Sequence, residues 1–121
     1  MGPRRLLVID DEREISEIVR AVAEGVGYEV RIADDADQFV KLHNEFAPTV
    51  VVLDVVMPEV DGIELAQWMA HEKSPARVIF LTGYNPRFTD AARALADAGE
   101  LVSVMTLIKP ISVEALRQAL E

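Results

Sequence analysis

Asp54 stands at the end of the apolar run Val50-Val51-Val52-Leu53, ahead of Val55-Val56-Met57-Pro58 and Asp61-Gly62. A charge is costly to bury unpaired, so a carboxylate closing such a run requires a partner. Asp10-Asp11 follows Leu6-Leu7-Val8-Ile9 in the same way, Thr82 closes the run 78–81, and Lys109 lies between Leu107-Ile108 and Pro110. If these ends meet, three carboxylates repel one another, two unit charges about 4 Å apart interacting by roughly 4 kcal/mol at an effective dielectric near 20. A proton or a cation must relieve that repulsion. Mg²⁺ suits such a set, because it takes one or two carboxylates, waters and a phosphoryl oxygen. A carboxylate can also act as a nucleophile and form an aspartyl-phosphate. Phosphoryl transfer needs mainly positioning and charge neutralisation. Mg²⁺ and Lys109 would supply the neutralisation, and the Thr82 hydroxyl with the Thr82-Gly83 amides would supply hydrogen-bond donors.

Each residue taken singly also has a structural explanation. Asp11 and Glu14 have the spacing of a capping box for a first helix. Asp54 alone suits an exposed turn, Lys109 a solvated loop, Thr82 a strand end, and Met57-Pro58 a turn. His43 and His71 lie in polar helical contexts without a ligand-spaced partner and are expected at the surface. Trp68 and the other apolar helix residues are expected in the core. What favours chemistry is the coincidence of Asp, Asp, Asp, Thr and Lys at strand ends that are predicted to converge.

The positioning elements are legible from periodicity. Continuous apolar runs of strand length occupy 5–9, 50–53 and 78–81, whereas 28–32 and 102–107 alternate. Between them lie helical patterns, the first with apolar residues at i, i+3, i+4 and i+7. The first is Ile15, Ile18, Val19 and Val22. The second is Phe39, Val40, Leu42 and Phe46, and the third Leu65, Trp68 and Met69. The fourth is Phe88, Ala91, Ala92 and Leu95, and the fifth Val113, Leu116, Ala119 and Leu120. Asp61 with Glu64 has capping-box spacing, Asn85-Pro86 supplies a cap and a first-turn proline, and Gly99 is placed as a terminator. Ser112 can cap the last helix, with Ile111 and Leu116 as its hydrophobic staple.

Five strands alternating with five helices imply an α/β fold with a parallel sheet covered on both faces. Strands buried on both faces read as continuous apolar runs, and half-covered ones alternate. The second and fifth strands therefore belong at the edges, giving the flavodoxin-like order 2-1-3-4-5. Ligands of such sheets sit beyond the carboxyl ends of the strands near the switch between strands one and three, which end in Asp10-Asp11 and Asp54.

Bulk properties bound the function classes. The 121 residues predict one domain spanning 1–121. Without cysteine, disulfides and thiolate metal sites are excluded, and a cytoplasmic setting is expected. Nothing at the N-terminus resembles a signal peptide, and no apolar stretch is long enough to span a bilayer. The formal charge of −9 argues against direct binding to nucleic acid or anionic lipid.

At Val8-Ile9-Asp10-Asp11-Glu12, at Leu53-Asp54-Val55-Val56-Met57-Pro58-Glu59-Val60-Asp61-Gly62, at Leu81-Thr82-Gly83 and at Lys109-Pro110-Ile111 the chain resembles the receiver domain of two-component response regulators. The resemblance covers essentially the whole length. It implies that Asp54 is the phosphoacceptor, and that Asp10 and Asp11 hold Mg²⁺ together with Asp54 and the backbone carbonyl of Val56. It also implies Thr82 as the switch hydroxyl, Lys109 as the phosphate-pairing lysine, and a cis peptide between Lys109 and Pro110. The implied partners are a histidine kinase or histidine phosphotransfer protein and an output partner or attached effector domain, with a homodimer as a further option. As a signalling receiver the chain would catalyse only its own phosphorylation and dephosphorylation. Two departures stand out. Thr106 occupies the position where the family usually has an aromatic residue, and the stretch from Thr82 to Lys109 is longer than the common pattern, which predicts an extended fourth helix or following loop within 85–101. Val56 and Tyr84 flank the site without supplying a strong general base, so slow self-dephosphorylation is expected.

Other classes fit less well. An aspartate-nucleophile phosphohydrolase of the haloacid dehalogenase type would carry its second acid two residues after the first, where this chain has Glu12, and would need a cap. A nucleotide or flavin module would need a phosphate-cradling stretch after a strand, and Gly25-x-Gly27 does not provide one. A docking module that is never phosphorylated is the remaining alternative, against which the intact acidic, threonine and lysine set argues.

Overall fold

A computed structural model describes residues 3–55, 62–83, 90, 93–94, 101 and 103–121. Five strands, β1 (Arg5–Ile9), β2 (Glu29–Ala33), β3 (Val50–Asp54), β4 (Arg77–Thr82) and β5 (Val104–Ile108), form one parallel sheet in the order β2-β1-β3-β4-β5. Among the described residues, four helices can be traced end to end: α1 (Arg13–Gly25), α2 (Ala36–Phe46), α3 (Gly62–His71) and α4 (Val113–Leu120), the last being the helix expected fifth. Of the helix predicted from Phe88 to Leu95, Asp90, Arg93 and Ala94 are helical, and the rest lies outside the described residues. Most of the predicted extension within 85–101 lies outside them too, as do Val56, Tyr84, Asp61, Asn85-Pro86 and Gly99.

Side-chain alternation along the strands divides the core in two. Leu7, Ile9, Val51, Leu53, Val78 and Phe80 face Phe39 of α2 and Leu65, Ala66 and Met69 of α3. Leu6, Val8, Val50, Val52, Ile79 and Leu81 face Val19 and Ala23 of α1 and Leu116 and Leu120 of α4. Central strands β1, β3 and β4 are buried along nearly their whole length, whereas β2 and β5 alternate, as the edge assignment requires. Ile18, expected on the core face of α1, is instead 41 % exposed, and Ser16 and Ala23 fill the helix's inner face.

Caps place the helices. Ser112 accepts from the Ala115 N–H at 3.1 Å and Ile111 packs in the same cluster as Leu116, so the expected cap and staple of α4 are both present. Asp35 caps α2 by accepting from the Gln38 N–H. The capping box expected from Asp11 and Glu14 does not form: Glu12 occupies the N-cap of α1, and its side chain makes no cap bond. At the opposite end of the sheet, three arginines donate to carbonyls where helices finish. Arg4 reaches Val26, Arg5 reaches Ala47 and Arg77 reaches Ala119, satisfying acceptors that a helix leaves open. Among the described residues, no helix is long and apolar enough to cross a membrane.

Candidate functional site

The parallel register carries the carboxyl ends of β1, β3, β4 and β5 to one edge. Asp54 is the last residue of β3 and pairs with Leu81, while Thr82 ends β4 opposite Ile108. Asp10 and Lys109 lie one residue beyond β1 and β5. Two main-chain bonds fasten this edge: the Val55 N–H donates to the Leu81 carbonyl at 3.0 Å, and the Lys109 N–H to the Thr82 carbonyl at 2.7 Å. The Lys109-Pro110 peptide is cis, as the resemblance implied.

Lys109 is the hub. Its Nζ lies 3.2 Å from Asp10 Oδ2, 3.4 Å from Asp54 Oδ1 and 3.5 Å from Glu12 Oε1. The Asp10 side chain is fully buried and that of Asp54 is 4 % exposed. Asp54 is therefore not the exposed turn residue that it could have been, taken singly. Asp10 Oδ1 accepts from the Glu12 N–H at 2.8 Å, whereas Oδ2 has no further partner among the described residues beyond the ammonium. Burial pushes the Asp10 carboxyl above the usual carboxylate range, against the opposing pull of the Glu12 N–H and the Lys109 ammonium. For Lys109, desolvation acts to lower the pKa, but the surrounding Asp10, Asp54 and Glu12 together outweigh it and hold the ammonium more firmly charged.

Asp11 is exposed at the mouth, and oxygens of Asp10, Asp11 and Glu12 lie within 4.8 Å of one another. Of these, Asp10 and Asp11, oxygen ligands of which one is buried with bonding capacity left, fit a hard divalent cation. The carbonyl of Val56, expected as a further ligand, lies outside the described residues.

Thr82 reaches the same edge but by the other row of its strand. It continues Val78 and Phe80 toward the α2 and α3 side, while Asp54 continues Val50 and Val52 toward α1 and α4. The Thr82 hydroxyl is buried and donates to the Gly83 carbonyl at 2.7 Å. Thr106, standing where the family usually has an aromatic residue, lies opposite Phe80 on the neighbouring strand.

Two residues at this edge had no role assigned from sequence. Glu12 was visible as the third acid of Asp10-Asp11-Glu12 but had no predicted partner. Gly62 opens α3, and a Cβ there would clash with the Asp54 carbonyl oxygen, so only glycine permits the approach. The signal was a glycine at a predicted helix start, but the close contact spans the chain between β3 and α3. His43 corrects an expectation. It is half-buried, its ring 5.1 Å from Trp68 and its Nε2 2.8 Å from the Ser74 hydroxyl. His71 is exposed, as expected.

Comparison with known proteins agrees with this geometry. The transcriptional regulatory protein PdtaR of Mycobacterium tuberculosis is 35 % identical over 120 residues, covering 98 % of this chain and 56 % of that protein. The chain thus spans about half the length, or less, of several curated relatives that it matches. Among solved structures, the chemotaxis protein CheY4 of Vibrio cholerae superposes with a TM-score of 0.84 at 23 % identity, over 98 % of this chain and 97 % of that one. A response regulator from Burkholderia pseudomallei, described with a phosphorylated aspartic acid and a calcium ion, gives 0.78 at 26 % identity, over 98 % of this chain and 66 % of that one. The model of the response regulator receiver domain matches residues 6–121, and with the strand order and the acidic edge already in place, the chain belongs to that family of signalling domains.

Proposed function

We propose that residues 1–121 act as one receiver domain in which Asp54 accepts a phosphoryl group from a histidine kinase or histidine phosphotransfer protein. The observation that carries this function is the pair of buried carboxylates, Asp10 and Asp54, that share the half-buried Lys109 ammonium at 3.2 and 3.4 Å at the carboxyl edge of the sheet. An Asp54 carboxylate oxygen forms the new P–O bond, the P–N bond of the donor phosphohistidine breaks, and the leaving imidazole takes up a proton. Asp10, Asp11, Asp54 and the Val56 carbonyl would hold Mg²⁺, which when bound offsets charge on the carboxylates and on the transferring phosphoryl group. Lys109 neutralises phosphoryl charge from the β5 side. The Thr82 hydroxyl leaves the Gly83 carbonyl to bond a phosphoryl oxygen, and that exchange is what transmits the change to β5 and the helical stretch that follows β4. The chain catalyses only its own phosphorylation and dephosphorylation, and the surface so altered meets an output partner, an attached effector domain or a second copy. The phosphorylated aspartic acid described for the Burkholderia pseudomallei protein supports the same chemistry here.

Incubation with acetyl phosphate and Mg²⁺ tests this function. The chain is expected to gain a single phosphoryl group by intact mass, and Asp54→Asn or removal of Mg²⁺ should abolish the gain. Continuous release of inorganic phosphate without a labelled protein would instead favour a phosphohydrolase.

A further inference from the structure

Glu12 is held at both ends of its backbone. Its N–H donates to Asp10 Oδ1, and its carbonyl accepts from the Ile15 and Ser16 N–H groups at 3.0 and 3.3 Å. It occupies the N-cap of α1, a position that favours Ser, Thr, Asp or Asn because their short side chains bond back to the helix. The Glu12 side chain makes no such bond, and its carboxylate extends to the Lys109 ammonium. Of the three acids around that ammonium, Asp10 and Asp54 are buried, and Glu12 is 62 % exposed at the rim.

We propose that Glu12 is a positioning residue that retains the Lys109 ammonium at the mouth of the site and so slows its passage to the phosphoryl group. The inference rests on Asp54 being the acceptor. Once Asp10 and Asp54 are engaged by cation and phosphoryl group, their hold on the ammonium weakens. Glu12 is then the carboxylate of this trio still free to attract it. The lysine head is a compact charge on a flexible stem, so a modest competing pull changes where it sits.

Two variants separate this role from its rivals. Glu12→Gln removes the charge at nearly constant size. Glu12→Asp keeps the charge, shortens the reach by one methylene and improves the helix cap. Both are expected to accept phosphate from acetyl phosphate about 2- to 5-fold faster than the wild type, the range an exposed ion pair can command. Both should also shift the side-chain NMR resonances of Lys109 in the unphosphorylated, metal-free protein. A fast Gln variant with an Asp variant at the wild-type rate would mean that Glu12 merely repels an anionic donor, overturning the proposal. Wild-type rates in both, or unmoved Lys109 resonances, would overturn it as well. A wild type that takes no phosphate on Asp54 removes the acceptor assignment itself, and with it the kinetic role of Glu12, whereas the Lys109 resonances read the ion pair independently.

Discussion

His43 shows how a side chain that looks like a surface residue in sequence acquires a constrained environment. Its ring packs against both Phe39 and Trp68, one nitrogen faces Ser74, and Nδ1 is buried without a hydrogen-bond partner among the described residues. Burial lowers the imidazole pKa below 6.5, only partly offset by Asn44 and the charge of Glu72. The unfolded chain therefore binds the proton more readily than the folded one, so stability rises with pH across this window. His43 contributes fully above the unfolded value of 6.5 and progressively less as pH falls from there toward its folded pKa. Urea unfolding from about pH 7.5 to about pH 5.5 should show a larger loss for the wild type than for His43→Gln. Equal losses would show that the imidazole is not titrating against burial. Nothing in the residues around His43 in sequence signals this, because Trp68 and Ser74 reach it from α3 and from the segment before β4.

The elements carry information that their own propensities do not. The first turn of α3 is one case, since alanine at position 62 would favour a helix by about 1 kcal/mol relative to glycine. The added Cβ, however, would meet the Asp54 carbonyl oxygen, and the Gly62 N–H already donates to the Val55 carbonyl at 3.0 Å. Gly62→Ala is expected to destabilise the fold by about 1–3 kcal/mol, the cost typical of overpacking. A lower urea midpoint at unchanged slope checks this; a raised midpoint would mean that helix propensity outweighs the clash. The start of α1 follows the same logic. Asp11 and Glu14 have the right spacing for a capping box, yet the Asp10 carboxylate captures the Glu12 N–H and the helix begins one residue later. Strands were more predictable. The runs at 5–9 and 50–53 lie within a residue of β1 and β3, because burial on both faces leaves an unbroken apolar signature.

For the whole molecule, a cation held at the acidic edge would couple its binding to stability. Burial disfavours the charged Asp10, so the metal-free protein is held back by its own site. A cation that binds only the folded chain raises stability by about 1.4 kcal/mol at about ten times its Kd. Mg²⁺ at that concentration should therefore raise Tm by a few degrees, read by calorimetry or circular dichroism. Asp10→Asn should raise the metal-free Tm and remove most of the Mg²⁺ increment. An unchanged increment would exclude Asp10 as a ligand. Element order, the edge positions of β2 and β5, and the presence of acid, threonine and lysine at strand ends were all determined by the sequence alone, because apolar runs and alternation are local properties of a chain. Tertiary structure alone decided that Lys109 meets Glu12 as well as Asp10 and Asp54. It alone set Thr82 and Asp54 on opposite rows of the sheet and brought Gly62 against the end of β3. Those relations join residues far apart in the chain, and interstrand register and helix docking, which no local pattern encodes, set the distances between them.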